Sequence, residues 1–276
     1  MSDQSYSWES YPTDGLVTSE KALFEAWESL EKFRGDLVVV GGLAIHYHAR
    51  EKIDPLYTGA PTLDVDFGIS LGTDAGMKGT VQFDLLQAGY EDFGNRMGKR
   101  LENGDLLYID FLTEHPPSER GSRSVSDITA SICPGINRAL EDRHFVEICG
   151  IDRFGDKRVF QIPICGIGPL LVLKLNAFAK RNHEKRGKDA YDILVVVTSY
   201  SGGVAAAVRA FHDEKQKGNP GMSIALETLA RDFSATDGAG PTLARRFRYG
   251  SGRDDENGPR MQAALVRVAQ ALLGED

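Results

Sequence analysis

Residues 36–42, DLVVVGG, and residues 62–68, TLDVDFG, decide the reading of this chain. The first is a short β-branched run meeting two glycines, which predicts a buried strand and a tight turn. LAIHYHA (43–49) then predicts a helix, since the chain must reverse after the strand. In the second stretch apolar and acidic residues alternate with period two, the pattern of a strand. Asp64 and Asp66 then leave one face, roughly 7 Å apart at Cα. Leu63, Val65 and Phe67 point the other way, into a core. Two neighbouring carboxylates repel each other, and a cation between them relieves the repulsion. Mg²⁺ usually takes one or two carboxylates plus substrate phosphates, and Mn²⁺ takes the same oxygen ligands.

LLYIDFLT (106–113) adds Asp110 on a further strand, between apolar Ile109 and Phe111. Three acids from two strands suit activation of a hydroxyl and stabilisation of a leaving oxygen by bound metal. A strand ending at Gly41-Gly42 exposes backbone N–H groups at a helix start, where phosphate oxygens are cradled. Each motif has a plainer reading alone: a solvated sheet face for D-x-D, a simple turn for Gly-Gly. Strand, Gly-Gly, helix, D-x-D strand and Asp strand in that order are far more restrictive.

Further on, residues 170–194 read LLVLKLNAFAKRNHEKRGKDAYDIL. Lys174 and Arg181 are seven apart and share one helix face. Between residues 171 and 200 stand six Lys or Arg against three acids, a local excess that attracts phosphate. The plainer reading is a solvated helix with Lys185–Asp189 and Lys188–Asp192 pairs. Lys174, inside an apolar run, must snorkel or face a pocket.

Composition narrows the class. A formal net charge of −8 argues against a surface that coats nucleic acid, though not against a local basic patch. No run of eighteen apolar residues is present, and the polar, acidic N-terminus lacks a signal-peptide layout. No membrane association and a cytoplasmic location are therefore expected. Cys133, Cys149 and Cys165, sixteen apart, fit no metal-ligand spacing and are read as buried thiols. His46 and His48 fall on opposite sides of a helix and share no metal. Arg245, Arg246 and Arg248 read as a solvated helix end.

The remaining pattern predicts a helix from Thr18 or Ser19 to about Phe33, a loop over 53–62 and a helix over 79–93. A turn at Asn103-Gly104, a strand over 106–112, a polar loop over 116–126 and strands at 144–151 and 157–167 follow. One long helix is expected over 168–200, then helices near 203–214, 222–233, 241–248 and 259–273. The expected fold is α+β: a mixed β-sheet core flanked by helices, residues 1–168, followed by a helical region, residues 169–276.

On VVVGGLAIHYHA and TLDVDF, the chain resembles the polymerase-β-type nucleotidyltransferase superfamily. More narrowly, it is similar to the AbiEii-like toxins of type IV toxin–antitoxin systems. Those proteins also carry a later helix with a lysine, an arginine beyond it and a K/R-D-x-x-D element, matched here by Lys174, Arg181 and Lys188 to Asp192. The resemblance covers roughly residues 36–112 and 168–195. It implies that Gly41 and Gly42 contact a triphosphate, that Asp64 and Asp66 hold Mg²⁺ with Asp110 as third acid, that Lys174 meets nucleotide phosphates beside Arg181, and that Asp189 belongs to the late catalytic motif. It also implies transfer of a nucleoside monophosphate from an NTP, with pyrophosphate released, to an RNA (tRNA or another), a protein or a small molecule, and an antitoxin protein as partner. The 21 residues between Gly42 and Asp64 exceed the superfamily's usual gap, and an enlarged loop at 51–61 would account for them. A D-x-D glycosyltransferase and a catalytically inactive binding protein of the same fold are the rival classes. The glycosyltransferase does not explain Gly41-Gly42 or the Lys174–Asp189 element, and the inactive protein would keep the fold and act through partner contacts.

Overall fold

Val38, Val39 and Val40 are buried on both faces, as a strand in the middle of a sheet requires. In the computed structural model, which describes residues 7–49, 62–70, 80–101, 104, 106–114, 121–250 and 256–274, they form β1 (Leu37–Val40). The chain passes directly into α2 (Gly41–Ala49), following α1 (Gly15–Ser29). The expected loop over 53–62, apart from Thr62, and Asn103 lie outside the described residues.

The sheet is mixed, as the sequence pattern predicts. Its other strands are β2 (Val65–Ile69), β3 (Glu91–Asp92), β4 (Met97–Arg100), β5 (Leu106–Thr113), β6 (Ser122–Val125), β7 (Ile128–Ile132), β8 (Arg143–Ile151) and β9 (Lys157–Cys165). The order is β3-β4-β5-β2-β1-β9-β8, with β7 continuing along the edge of β5 and β6 paired to β7. β1 runs antiparallel to β2 and parallel to β9, and β2 runs parallel to β5. On one face Val65, Phe67, Ile109 and Phe111 interlock, with the two phenylalanine rings 6.0 Å apart. On the other, α4 (Ile136–Glu141) covers Val38 and Gly68 through Ile136. Glu114 fixes that helix by accepting the N–H groups of Gly135 and Asn137.

Several expectations need correction. The first helix starts earlier and stops at Ser29; a 3-10 segment, Glu31–Asp36, then buries Phe33. The helix expected over 79–93 shortens to α3 (Val81–Gln87), capped by the Thr80 hydroxyl. The polar loop at 116–126 contains strand β6, and β4, β7 and α4 were not anticipated. The long helix over 168–200 is two, α5 (Ile167–Lys180) and α6 (His183–Thr198), divided where Asn182 adopts an extended backbone. Of the cysteines only Cys165 is buried; Cys133 is intermediate and Cys149 exposed. The later helices form as expected: α7 (Val204–Gln216), α8 (Met222–Asp232), α9 (Ala239–Tyr249) and α10 (Asn257–Leu273).

The chain divides into two units. The sheet unit holds Thr13–Ala44 and Thr62–Gly166. The helical unit begins at Ile167 and also takes in residues 7–12 and 45–49. In it, apolar α5 lies among α6, α7 and α8, while α9 packs on α6. Trp8 sets its ring edge-on to Tyr191 at 5.6 Å. No described helix is long and apolar enough to cross a membrane.

Candidate functional site

The end of β1 sets the site. Val40 stands opposite Asp66 in the antiparallel register, and the chain turns at Gly41 with φ of +67°. A Cβ on Gly41 would lie 1.9 Å from Asp66 Oδ2, and one on Gly42 would lie 2.5 Å from Thr62 Oγ1. Both glycines therefore permit a close approach, and the first turn of α2 meets the Asp66 carboxylate. The positive end of a helix favours an anion there.

Asp66 and Asp110 are direct partners in the parallel β2–β5 pairing, so both side chains leave one face, about 4.8 Å apart at Cα. Asp64, just ahead of β2, shares that face. The structure thus gathers the three acids of the sequence pattern on one face, with Asp66 against Gly41.

It also adds a residue that the sequence reading missed. Arg96 precedes β4, and the β4–β5 register, Met97 to Ile109, carries it to Asp110. Its Nε donates to Asp110 Oδ1 and its Nη2 to Asp110 Oδ2, both at 2.6 Å. Nη2 also lies 3.1 Å from Asp64 Oδ2, and the guanidinium stacks over Tyr108 at 4.0 Å. Burial opposes the Arg96 charge, but Asp110 and then Asp64 outweigh it and hold its pKa above the usual arginine value. The three side chains are 25%, 28% and 33% exposed, so solvent reaches the cluster. Only the arginine itself hinted at this. Its position in EDFGNRMGKR gains meaning once β4 is in register with β5.

The donor set fits a hard divalent cation: carboxylate oxygens from two adjacent strands, already arranged around a positive group. As the side chains stand, no group of three His, Cys, Asp or Glu among the described residues is disposed to hold a metal ion. The guanidinium takes that place between Asp64 and Asp110.

The other sequence candidates lie in the helical unit. Lys174, almost fully buried, donates to Asp192 at 2.6 Å and to Asp189 at 3.4 Å. Lys188 donates to Asp192 at 2.9 Å, and Arg181 to Asp189 at 3.0 Å. Burial opposes the charges of Lys174, Lys188 and Asp192. For Lys174 the attraction of Asp192 and Asp189 outweighs it and keeps the pKa above the ordinary lysine value. For Asp192 the two lysines likewise outweigh it and pull the carboxyl below its ordinary range. The Arg181 side chain is the exposed member, at 43%. His48 is buried and stacks edge-on with Tyr200 at 5.6 Å, which gives it a packing role.

No family model and no curated protein matches the chain. Among solved structures, the CD-NTase CdnG of Bradyrhizobium diazoefficiens, in complex with GTP, aligns with it at 12% identity. The alignment covers 93% of this chain and 83% of that one, with a TM-score of 0.27. A likeness of that size leaves the functional reading to the chain's own geometry.

Proposed function

We propose that the chain is a metal-dependent nucleotidyltransferase that moves a nucleoside monophosphate from an NTP to an acceptor hydroxyl, releasing pyrophosphate. One observation carries the reading. Asp66 stands against the Gly41 turn that opens α2 and is in register with Asp110 on the parallel neighbour, with Asp64 on the same face.

Asp64, Asp66 and Asp110 would hold Mg²⁺ or Mn²⁺, which when bound polarises the phosphoryl group and lowers the charge on the reacting oxygens. The N–H groups at the start of α2, freed by Gly41 and Gly42, would orient triphosphate oxygens. Asp110 would help to deprotonate the acceptor hydroxyl. The roles of Lys174 and Arg181 toward nucleotide phosphates, and of Asp189 in the late catalytic motif, rest on the sequence resemblance. An RNA, protein or small-molecule acceptor, and a toxin neutralised by an antitoxin, rest on the sequence resemblance alone.

The test is incubation with each α-labelled NTP, Mg²⁺, and total RNA or total protein. Label transfer should fall about a hundredfold or more in Asp64→Ala, Asp66→Ala and Asp110→Ala, the upper end of losses around metal sites. Absence of pyrophosphate release with every NTP, or turnover of a nucleotide-sugar without it, would overturn the reading.

A further inference from the structure

A guanidinium and a divalent ion cannot share the same carboxylate oxygens, because both need the lone pairs and their like charges repel. Arg96 engages both oxygens of Asp110 and one of Asp64. It also lines a small cavity of about 40 Å³ with Asp92, Asp127 and Gln82. Asp127 Oδ2 accepts the Gln82 backbone N–H at 3.0 Å, while its buried Oδ1 has no hydrogen-bond partner among the described residues. Asp92 is occupied by Gln82 Nε2 at 2.7 Å and the Gly94 N–H at 2.7 Å. A buried carboxylate oxygen lacking a donor is costly, and here its residue lines the same cavity as Arg96.

From these contacts we infer that Arg96 is an exchangeable counter-cation: it pairs with Asp64 and Asp110 in competition with the divalent ion, and passes to Asp127 when the ion takes those carboxylates. The exchange would set how tightly the site holds metal and would keep Asp64 and Asp110 together without it. This rests on the metal-site reading above.

The test measures metal binding and not catalysis, by titrating Mn²⁺ alone into the full chain and following the free-ion paramagnetic signal. Arg96→Gln should bind Mn²⁺ about tenfold or more tighter than the unmodified protein, within the range by which neighbouring groups tune metal affinity. Asp127→Asn, which weakens the second berth, should bind about threefold weaker, the worth of a hydrogen bond. Adding Asp64→Asn to Arg96→Gln should abolish the tight binding. If Arg96→Gln gains nothing while Asp64→Asn alone removes binding, the exchange is wrong and the metal site stands. Should Asp64→Asn leave binding untouched, the ion sits elsewhere and the metal reading falls with the exchange. If Arg96→Gln does not fold, Asp127→Asn decides, and unchanged affinity in that variant sinks the proposal.

Discussion

At Gly41 a backbone with φ of +67° brings the first turn of α2 against Asp66, leaving no room for a methyl group. Alanine there would strain the backbone and push the carboxylate aside at once. Gly41→Ala should destabilise the protein by about 2 kcal/mol, as expected for a residue forced into an unfavourable φ with a clash. Chemical denaturation would read this as a lower midpoint at unchanged slope, and an unchanged midpoint would show that the turn relaxes freely. At this scale the sequence is partly readable. Gly41-Gly42, Asp64 and Asp66 announce themselves because spacing along one strand and one turn is a local property. Arg96 does not, since its meaning depends on the pairing of β4 with β5, and MGKR carries too little apolar alternation to be recognised as a strand.

The α5–α6 pair shows where periodicity stops helping. The apolar phase of 168–200 runs on across Arg181-Asn182, so one helix was expected, although Asn at position 182 is a favoured N-cap residue. What the break achieves is a buried charge cluster in which Asp192 receives both Lys174 and Lys188. Asp192→Ala leaves two lysines buried without that partner and should cost about 3–5 kcal/mol. The pH dependence has a definite sign. Because the Asp192 carboxyl is pulled below its ordinary range, its contribution is present above the unfolded carboxylate value and is lost as pH falls through the folded one. The stability of the unmodified protein should therefore drop from about pH 4 downward, the ordinary carboxylate region. Asp192→Asn should show a shallower drop in thermal scans across that range. Equal slopes would place the acid sensitivity on other groups. β6 and β7 escaped notice for a related reason: SRSV is polar and largely exposed, so a paired edge hairpin looks like a loop.

Over the whole molecule, the two units interleave along the chain. Ile45, Tyr47 and His48 are buried within the helical unit although they follow Gly41-Gly42 by only a few residues. His48 stacks on Tyr200, and its carbonyl accepts the Ser201 N–H at 3.3 Å. A fragment ending at Gly166 would leave these side chains without their partners. It should bind a hydrophobic dye more strongly than the full chain and melt over a broader range. A sharp transition without added dye binding would show that α2 finds other cover. The change of character expected near residue 168 rests on a shift in composition. Sequence patterns do not reveal that 45–49 belong with what comes later, since that is a long-range pairing. During synthesis the consequence is a wait. The end of α2 leaves the ribosome with the sheet strands, yet the 110 residues from Ile167 onward take on the order of ten seconds to follow. For that interval the nascent chain displays an apolar turn directly beside Gly41 and Gly42, a natural foothold for a chaperone.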